Sequence, residues 1–152
     1  MRSLKHNPDR RSILARLAAL RPDQPARWGR MSAHQMICHL SDSYLAGMGE
    51  KHVSMATGVV QRTVMKFGAL YVPLRWPRGI ATRPEMDQQT GGTRPAEFEA
   101  DRRKLIAIIG RFSAANRGFT WARHPLFDEM RDSEWLRWGY LHADHHLRQF
   151  GC

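Results

Sequence analysis

The chain has 152 residues, 42% hydrophobic and 25% charged, which suits a single domain (1–152) with an ordinary core and excludes a disordered or fibrous protein. Its net charge of +10 arises from 24 basic residues, all but four of them arginine, against 14 acidic ones. The arginines are scattered in runs no longer than Arg10-Arg11 and Arg102-Arg103, without any helix-turn-helix, zinc-finger or RNA-reading aromatic motif. The charge therefore predicts a solvated arginine-rich surface and no specific nucleic-acid partner, with an anionic substrate left open.

No apolar run approaches the roughly 20 residues of a membrane-spanning helix, and none follows the early positive charges as a secretory signal requires. The expected compartment is the cytoplasm. Two cysteines, Cys38 and Cys152, are too few for a disulfide framework, and Cys38 falls within a helical pattern as a small buried apolar residue.

The apolar periodicity predicts an all-α chain. A first helix over 9–20 carries Ile13, Leu14, Leu17 and Leu20 on one face and stops at Pro22. The second has a marked start. Ser32 as N-cap with Gln35 three residues later forms a capping box, flanked by Met31 and Met36 as a hydrophobic staple. It continues to Gly47 and Gly49, with Met36, Leu40, Ser43 and Gly47 on its inner stripe and His39 on the same side. Val60, Val64, Phe67 and Tyr71 suit a less regular third helix. Prolines and glycines from Pro73 to Pro95 then mark a long loop, of the kind that serves as a lid or a linker.

A core helix is expected from Pro95 to Asn116–Gly118, with Glu97, Glu99 and Asp101 complementing its dipole and Phe98, Leu105, Ile109 and Phe112 facing inward. The last helix runs from Asp132 to the end, with Trp135, Trp138, Gly139, His142, His146, Gln149 and Phe150 on one face.

That last face carries the chemistry. His142 and His146 are four apart, so their β-carbons stack roughly 6 Å apart and both rings can reach one ion at about 2.0–2.1 Å. His39, on the inner stripe of a different helix, makes a third inward imidazole. Three buried imidazoles without partners would be costly, and three histidine ligands leave a coordination position free for water or substrate. Zinc is the leading ion, and nickel, manganese or iron also suit three imidazoles. Among the polar neighbours Asp42, Ser43, Asp144, Arg148 and Gln149, the spacing favours Ser43 and Gln149 as supports for the ligands. His145 and His34 are expected outside the ligand set, His34 at the surface. His6 and His52 fall in terminal or loop positions, and His124, before Pro125, is read as a turn residue or as a neighbour of the metal.

Two stretches then resemble a known family. Arg27-Trp28-Gly29-Arg30-Met31-Ser32-Ala33-His34-Gln35-Met36-Ile37-Cys38-His39-Leu40, and the tail from His124-Pro125-Leu126-Phe127 through Glu134-Trp135 to His142-Ala143-Asp144-His145-His146-Leu147-Arg148-Gln149-Phe150, are similar to the DinB-like superfamily and to one of its uncharacterised bacterial branches. The resemblance implies an up-down-down-up four-helix bundle, often a homodimer, whose metal-ligating histidines fall on His39, His142 and His146. It implies a metal-dependent enzyme, since some members use a low-molecular-weight thiol as isomerases or S-transferases, and the activity expected here is that of a metal-dependent hydrolase or thiol S-transferase. The rival readings are a non-catalytic stress-related binding or scaffold protein with a structural metal and, on charge alone, a non-specific nucleic-acid binder. The chain departs from its branch at Asp128-Glu129-Met130, where a glycine and a leucine are commoner, and at His34, where small residues are.

Overall fold

The computed structural model describes residues 1–56 and 58–152, and among these it contains five α-helices and no strand. They are α1 (Asn7–Ala19), α2 (Ala33–Gly47), α3 (Lys66–Tyr71), α4 (Phe98–Phe112) and α5 (Asp132–Gln149). A π-helical turn, Gln61–Met65, leads directly into α3, and a 3-10 turn, Pro84–Met86, interrupts the long loop. No helix among the described residues is long and apolar enough to cross a membrane.

The four long helices pack in a ring: α1 on α5, α5 on α2, α2 on α4, and α4 back on α1. Each turns its apolar stripe into a shared core that includes Ile13 and Leu17 of α1, Met36, Leu40 and Tyr44 of α2, Leu105, Ile109 and Phe112 of α4, and Trp135, Ala143 and Leu147 of α5. The fully buried Tyr44 hydroxyl donates to the Gly139 carbonyl at 2.7 Å, so the contact between α2 and α5 satisfies its own polar atom.

The start of α2 is as expected. The Ser32 hydroxyl accepts from the Gln35 N–H at 3.1 Å, and the Gln35 side chain accepts from the Ser32 N–H at 2.9 Å. Its exit is a Schellman motif: Gly49 N–H donates to the Ala46 carbonyl and Glu50 N–H to that of Leu45.

Other boundaries differ. Pro95 precedes α4 rather than opening it, because the Glu97 carboxylate caps the helix by accepting from the Glu99 and Ala100 N–H groups. The helix ends at Phe112, four residues before Asn116, where the Ser113 hydroxyl turns back to the Ile109 carbonyl at 2.7 Å. The stripe expected on the third helix points outward. Val60, Val64 and Phe67 are 58%, 69% and 63% exposed, and only Leu70 of α3 is buried.

The long loop is tied to α2 by Asp42, which is buried and accepts from the Thr93 hydroxyl at 2.6 Å, the Thr93 N–H at 2.8 Å and the Gln88 amide at 3.0 Å. Lys51 lies 3.1 Å from the same carboxylate. Asp42 thus anchors the loop and does not contact a histidine ring. The loop, so held, becomes one wall of the site.

Candidate metal centre

The capping box fixes where α2 begins, the packing of Met36, Leu40 and Tyr44 into the core fixes its rotation, and that of Trp135 and Leu147 fixes the rotation of α5. His39 from the first and His142 and His146 from the second consequently converge. Their ring centroids form a nearly equilateral triangle, 5.1 Å between His39 and His142, 4.7 Å between His39 and His146, and 4.9 Å between His142 and His146. One nitrogen from each lies within 4.8 Å of the others. His39 and His142 are buried and His146 is half-buried.

The hydrogen bonds on the far side of two rings decide their tautomers. His39 Nδ1 lies 2.9 Å from the Met86 carbonyl, which can only accept, so the proton is on Nδ1 and Nε2 presents a lone pair. The Gln149 amide nitrogen donates to the Trp28 carbonyl at 2.8 Å. That turns the Gln149 oxygen toward His146 Nδ1 at 2.9 Å and leaves a lone pair on Nε2 there as well. His142 Nε2 faces His39 Nε2 at 3.2 Å. Burial lowers the pKa of His39 and pushes those of His142 and His146 well below the usual histidine value, with the neighbouring imidazoles adding to the effect for the latter two. The rings are therefore neutral near pH 7, the form in which imidazole binds a metal.

The donor set fits a divalent ion. Tetrahedral bonds of 2.0–2.1 Å would put neighbouring ligand nitrogens about 3.3 Å apart, close to the observed His39–His142 separation. One hydrogen shared between those two nitrogens would satisfy that pair and leave the His146 lone pair without a partner in the same space. The support is uneven. His142 Nδ1 is buried without a hydrogen-bond partner among the described residues, so on that side packing holds its ring, with Trp138 at 4.8 Å and Trp76 at 6.0 Å.

Of the two supports expected from spacing, Gln149 holds a ring and Ser43 does not. The Ser43 hydroxyl donates to the backbone carbonyl of His39 at 2.8 Å, within its own helix. The corresponding role falls to the Met86 carbonyl from the loop. Asp144 pairs with Arg16 at 2.7 Å and with Arg148 at 2.9 Å, which takes both Asp144 and Arg148 away from the ligands.

Gly29 explains the Trp-Gly pair before α2. It sits at φ 77°, and a β-carbon there would meet the Gln149 amide nitrogen at 2.9 Å. The sharp turn lets the Trp28 carbonyl reach Gln149 and, through it, His146.

Above the three rings lies a cavity of about 790 Å³. Its walls include Trp28, Met65, Trp76, His124, Phe127 and Trp138, together with loop residues from Leu74 to Gln89. His124 is both a turn residue and a neighbour of this site. Its Nδ1 accepts from the Leu126 and Phe127 N–H groups at 3.2 and 3.1 Å, which places its proton on Nε2. Burial, with Lys66 nearby, pushes its pKa down to about 3. His145 lines the cavity beside His146.

A second cluster, His34, Cys38 and Asp101, also has ligand-type atoms close together. His34 is half-buried, not exposed as expected, because its Nε2 lies 2.8 Å from Asp101. Burial and the Asp101 carboxylate push the Cys38 thiol up to about 12, so it stays protonated. Asp101 also accepts from the Ala96 N–H at 3.0 Å. This group fastens the start of α4 to α2.

The class so defined is an all-helical protein with a histidine-lined cavity whose donor atoms could hold a divalent ion. The family model described as "Protein of unknown function (DUF1569)" matches residues 1–151, and the chain belongs to that family. No curated protein and no solved structure matches the chain.

Proposed function

We propose that this chain is a DinB-like metalloprotein with an up-down-down-up four-helix bundle, in which His39, His142 and His146 hold one divalent ion, zinc foremost, with nickel, manganese or iron as substitutes. The ring of packing contacts α1–α5–α2–α4 supports the bundle. One observation carries the metal: protons committed to Met86 and Gln149 leave lone pairs on the other nitrogens of His39 and His146, and one nitrogen from each of the three rings lies within 4.8 Å of the others.

The activity we infer is that of a metal-dependent enzyme, an S-transferase using a low-molecular-weight thiol or a hydrolase. A bound divalent ion supplies the Lewis acidity that turns a thiol or water into a nucleophile near neutral pH. The cavity favours this over a purely structural metal, because it leaves space for a small molecule directly over the three rings. Trp76, Trp138 and Phe127 give the electrophile an apolar bed. His124, with its proton fixed on Nε2, is a neutral donor in the cavity wall.

The test is the metal content of protein purified without an affinity tag, compared with that of His142→Ala. A stoichiometric ion in the first and its loss in the second is expected; equal content in both ends the proposal. Metal-dependent conjugation of a thiol to a chloro-nitrobenzene electrophile separates transferase from hydrolase. Metal that raises the melting temperature with no thiol or electrophile competing for the site would instead favour the structural role.

A further inference from the structure

Beside the main cavity lies a smaller recess of about 210 Å³, lined by Arg27, Trp28, Arg75, Trp76, Arg78, His145 and Arg148. Four arginines thus border one small space, Arg27, Arg75 and Arg78 exposed and Arg148 half-buried, and no acidic residue lines it. Among the described residues, Arg27, Arg75 and Arg78 have no carboxylate partner, and only Arg148 is paired, with Asp144 at 2.9 Å. Like charges gathered in a recess with aromatic walls raise the local positive potential, and an anion entering it relieves the repulsion.

The arginines are placed by specific packing. The Arg27 N–H donates to the Gln149 carbonyl at 2.7 Å, tying that residue to the end of α5. Its guanidinium lies over Gly151, where a β-carbon would approach to 2.5 Å. Arg78 lies 4.4 Å above the Trp28 ring, a cation–π contact that orients the group without neutralising it.

Trp28, Arg75, Trp76 and His145 line both the recess and the main cavity. The Trp76 ring stands 6.0 Å from His145 and 6.0 Å from His142, so a single indole separates the recess from a proposed metal ligand. Guanidinium forks match the paired oxygens of phosphate and carboxylate groups.

We propose that the recess is an anion subsite that takes the compact dianionic head, a phosphate monoester or a dicarboxylate, of a small-molecule substrate whose other end enters the main cavity. This rests on the reading of that cavity as a small-molecule metal site. A volume of about 210 Å³ suits one such head and not a polyanion backbone, which needs an open track.

The test is calorimetric titration of inorganic phosphate, succinate and chloride, at constant ionic strength, into the native protein, Arg75→Gln/Arg78→Gln, His142→Ala and chelator-treated native protein. Saturable one-site binding of phosphate or succinate is expected, weakened about tenfold or more in the arginine double variant. The tighter of the two probes names the head. Affinity unchanged after chelation or in His142→Ala places the anion in the recess, and chelated native protein gives that answer even where His142→Ala does not fold.

Equal affinity in the double variant overturns the proposal, as does equal competition by chloride. Loss of binding on chelation also overturns it, since the anion would then have sat on the metal. So does capture of a short DNA duplex by the native protein without any binding of phosphate or succinate. Failure of the metal reading shows separately, as unchanged metal content in His142→Ala with anion affinity intact.

Discussion

Gln149→Met isolates the support of one proposed ligand. Gln149 is only 4% exposed, and its amide makes two bonds, accepting from His146 Nδ1 at 2.9 Å and donating to the Trp28 carbonyl at 2.8 Å. Methionine preserves the volume and removes both. The His146 ring then loses what fixes its tautomer and angle, and removal of such supports typically costs 10–100-fold in metal affinity, about 1.4–2.7 kcal/mol. Leaving the Trp28 carbonyl without its partner adds a folding cost of about 1–3 kcal/mol. The two effects need separate readings: competition against a chromogenic chelator for affinity, and urea unfolding of the metal-free protein for stability. Gly29→Ala should reproduce both losses from the opposite side, because its β-carbon displaces the same amide and the residue sits at a positive φ, a strain of about 1–2 kcal/mol. Wild-type affinity in a folded Gln149→Met protein would refute the chain of support from Trp28 through Gln149 to His146.

Three further outcomes follow from the same structure. Asp128 is the one non-glycine residue at positive φ (60°) among those described, so Asp128→Gly should be neutral or stabilising, whereas Asp128→Val should cost about 1–2 kcal/mol in chemical denaturation. Burial alone would raise the pKa of Glu134, but the Arg131 N–H at 2.7 Å, Lys66 and the Tyr71 hydroxyl together bring it below the ordinary carboxylate value of 4.5. A carboxylate with its pKa depressed on folding stabilises the protein above its unfolded-state pKa, and that contribution is lost as pH falls through the folded one. The stability gap between wild type and Glu134→Gln should therefore be widest near neutral pH and narrow below about pH 4.5, as read by urea melts across that range. Cys38, buried and held up to about 12, should resist alkylation of the native protein at pH 8 while Cys152, half-buried at the chain end, is labelled; modification of Cys38 at a comparable rate would contradict its protonated, enclosed state.

Asp128 also shows how a turn can hold a side chain at positive φ. The backbone at Asp128 adopts the left-handed conformation that glycine enters most readily. Aspartate tolerates it better than most residues. The turn is kept because His124 Nδ1 ties its N–H groups and because His124 and Asp128 exchange backbone hydrogen bonds at 2.8 and 2.9 Å. The turn thus holds aspartate in a place that suits glycine.

What was legible in the sequence is what helix periodicity and local capping determine. Ser32 and Gln35 form a self-contained box, so they set the phase of α2 without help from the rest of the chain. The four-residue spacing of His142 and His146 then needs only a helix to bring the rings together. The start of α4 was less legible because a glutamate at position 97 caps it, where serine, threonine, asparagine or aspartate would have announced the boundary. The face of the third helix is not legible, because Val60, Val64 and Phe67 have core spacing yet nothing among the described residues covers them. The groups that orient His39 and His146 include two backbone carbonyls, Met86 and Trp28, and a carbonyl has no residue type to betray it. The arginine recess is harder still. Positions 27, 75, 78 and 148 are unrelated in sequence, and a scattered positive charge looks like ordinary surface until the loop after α3 folds back across α5. The parts readable in advance are thus those built within one helix. The parts proposed to select a ligand are built between segments, and for those the long loop, anchored through Asp42, does the assembling.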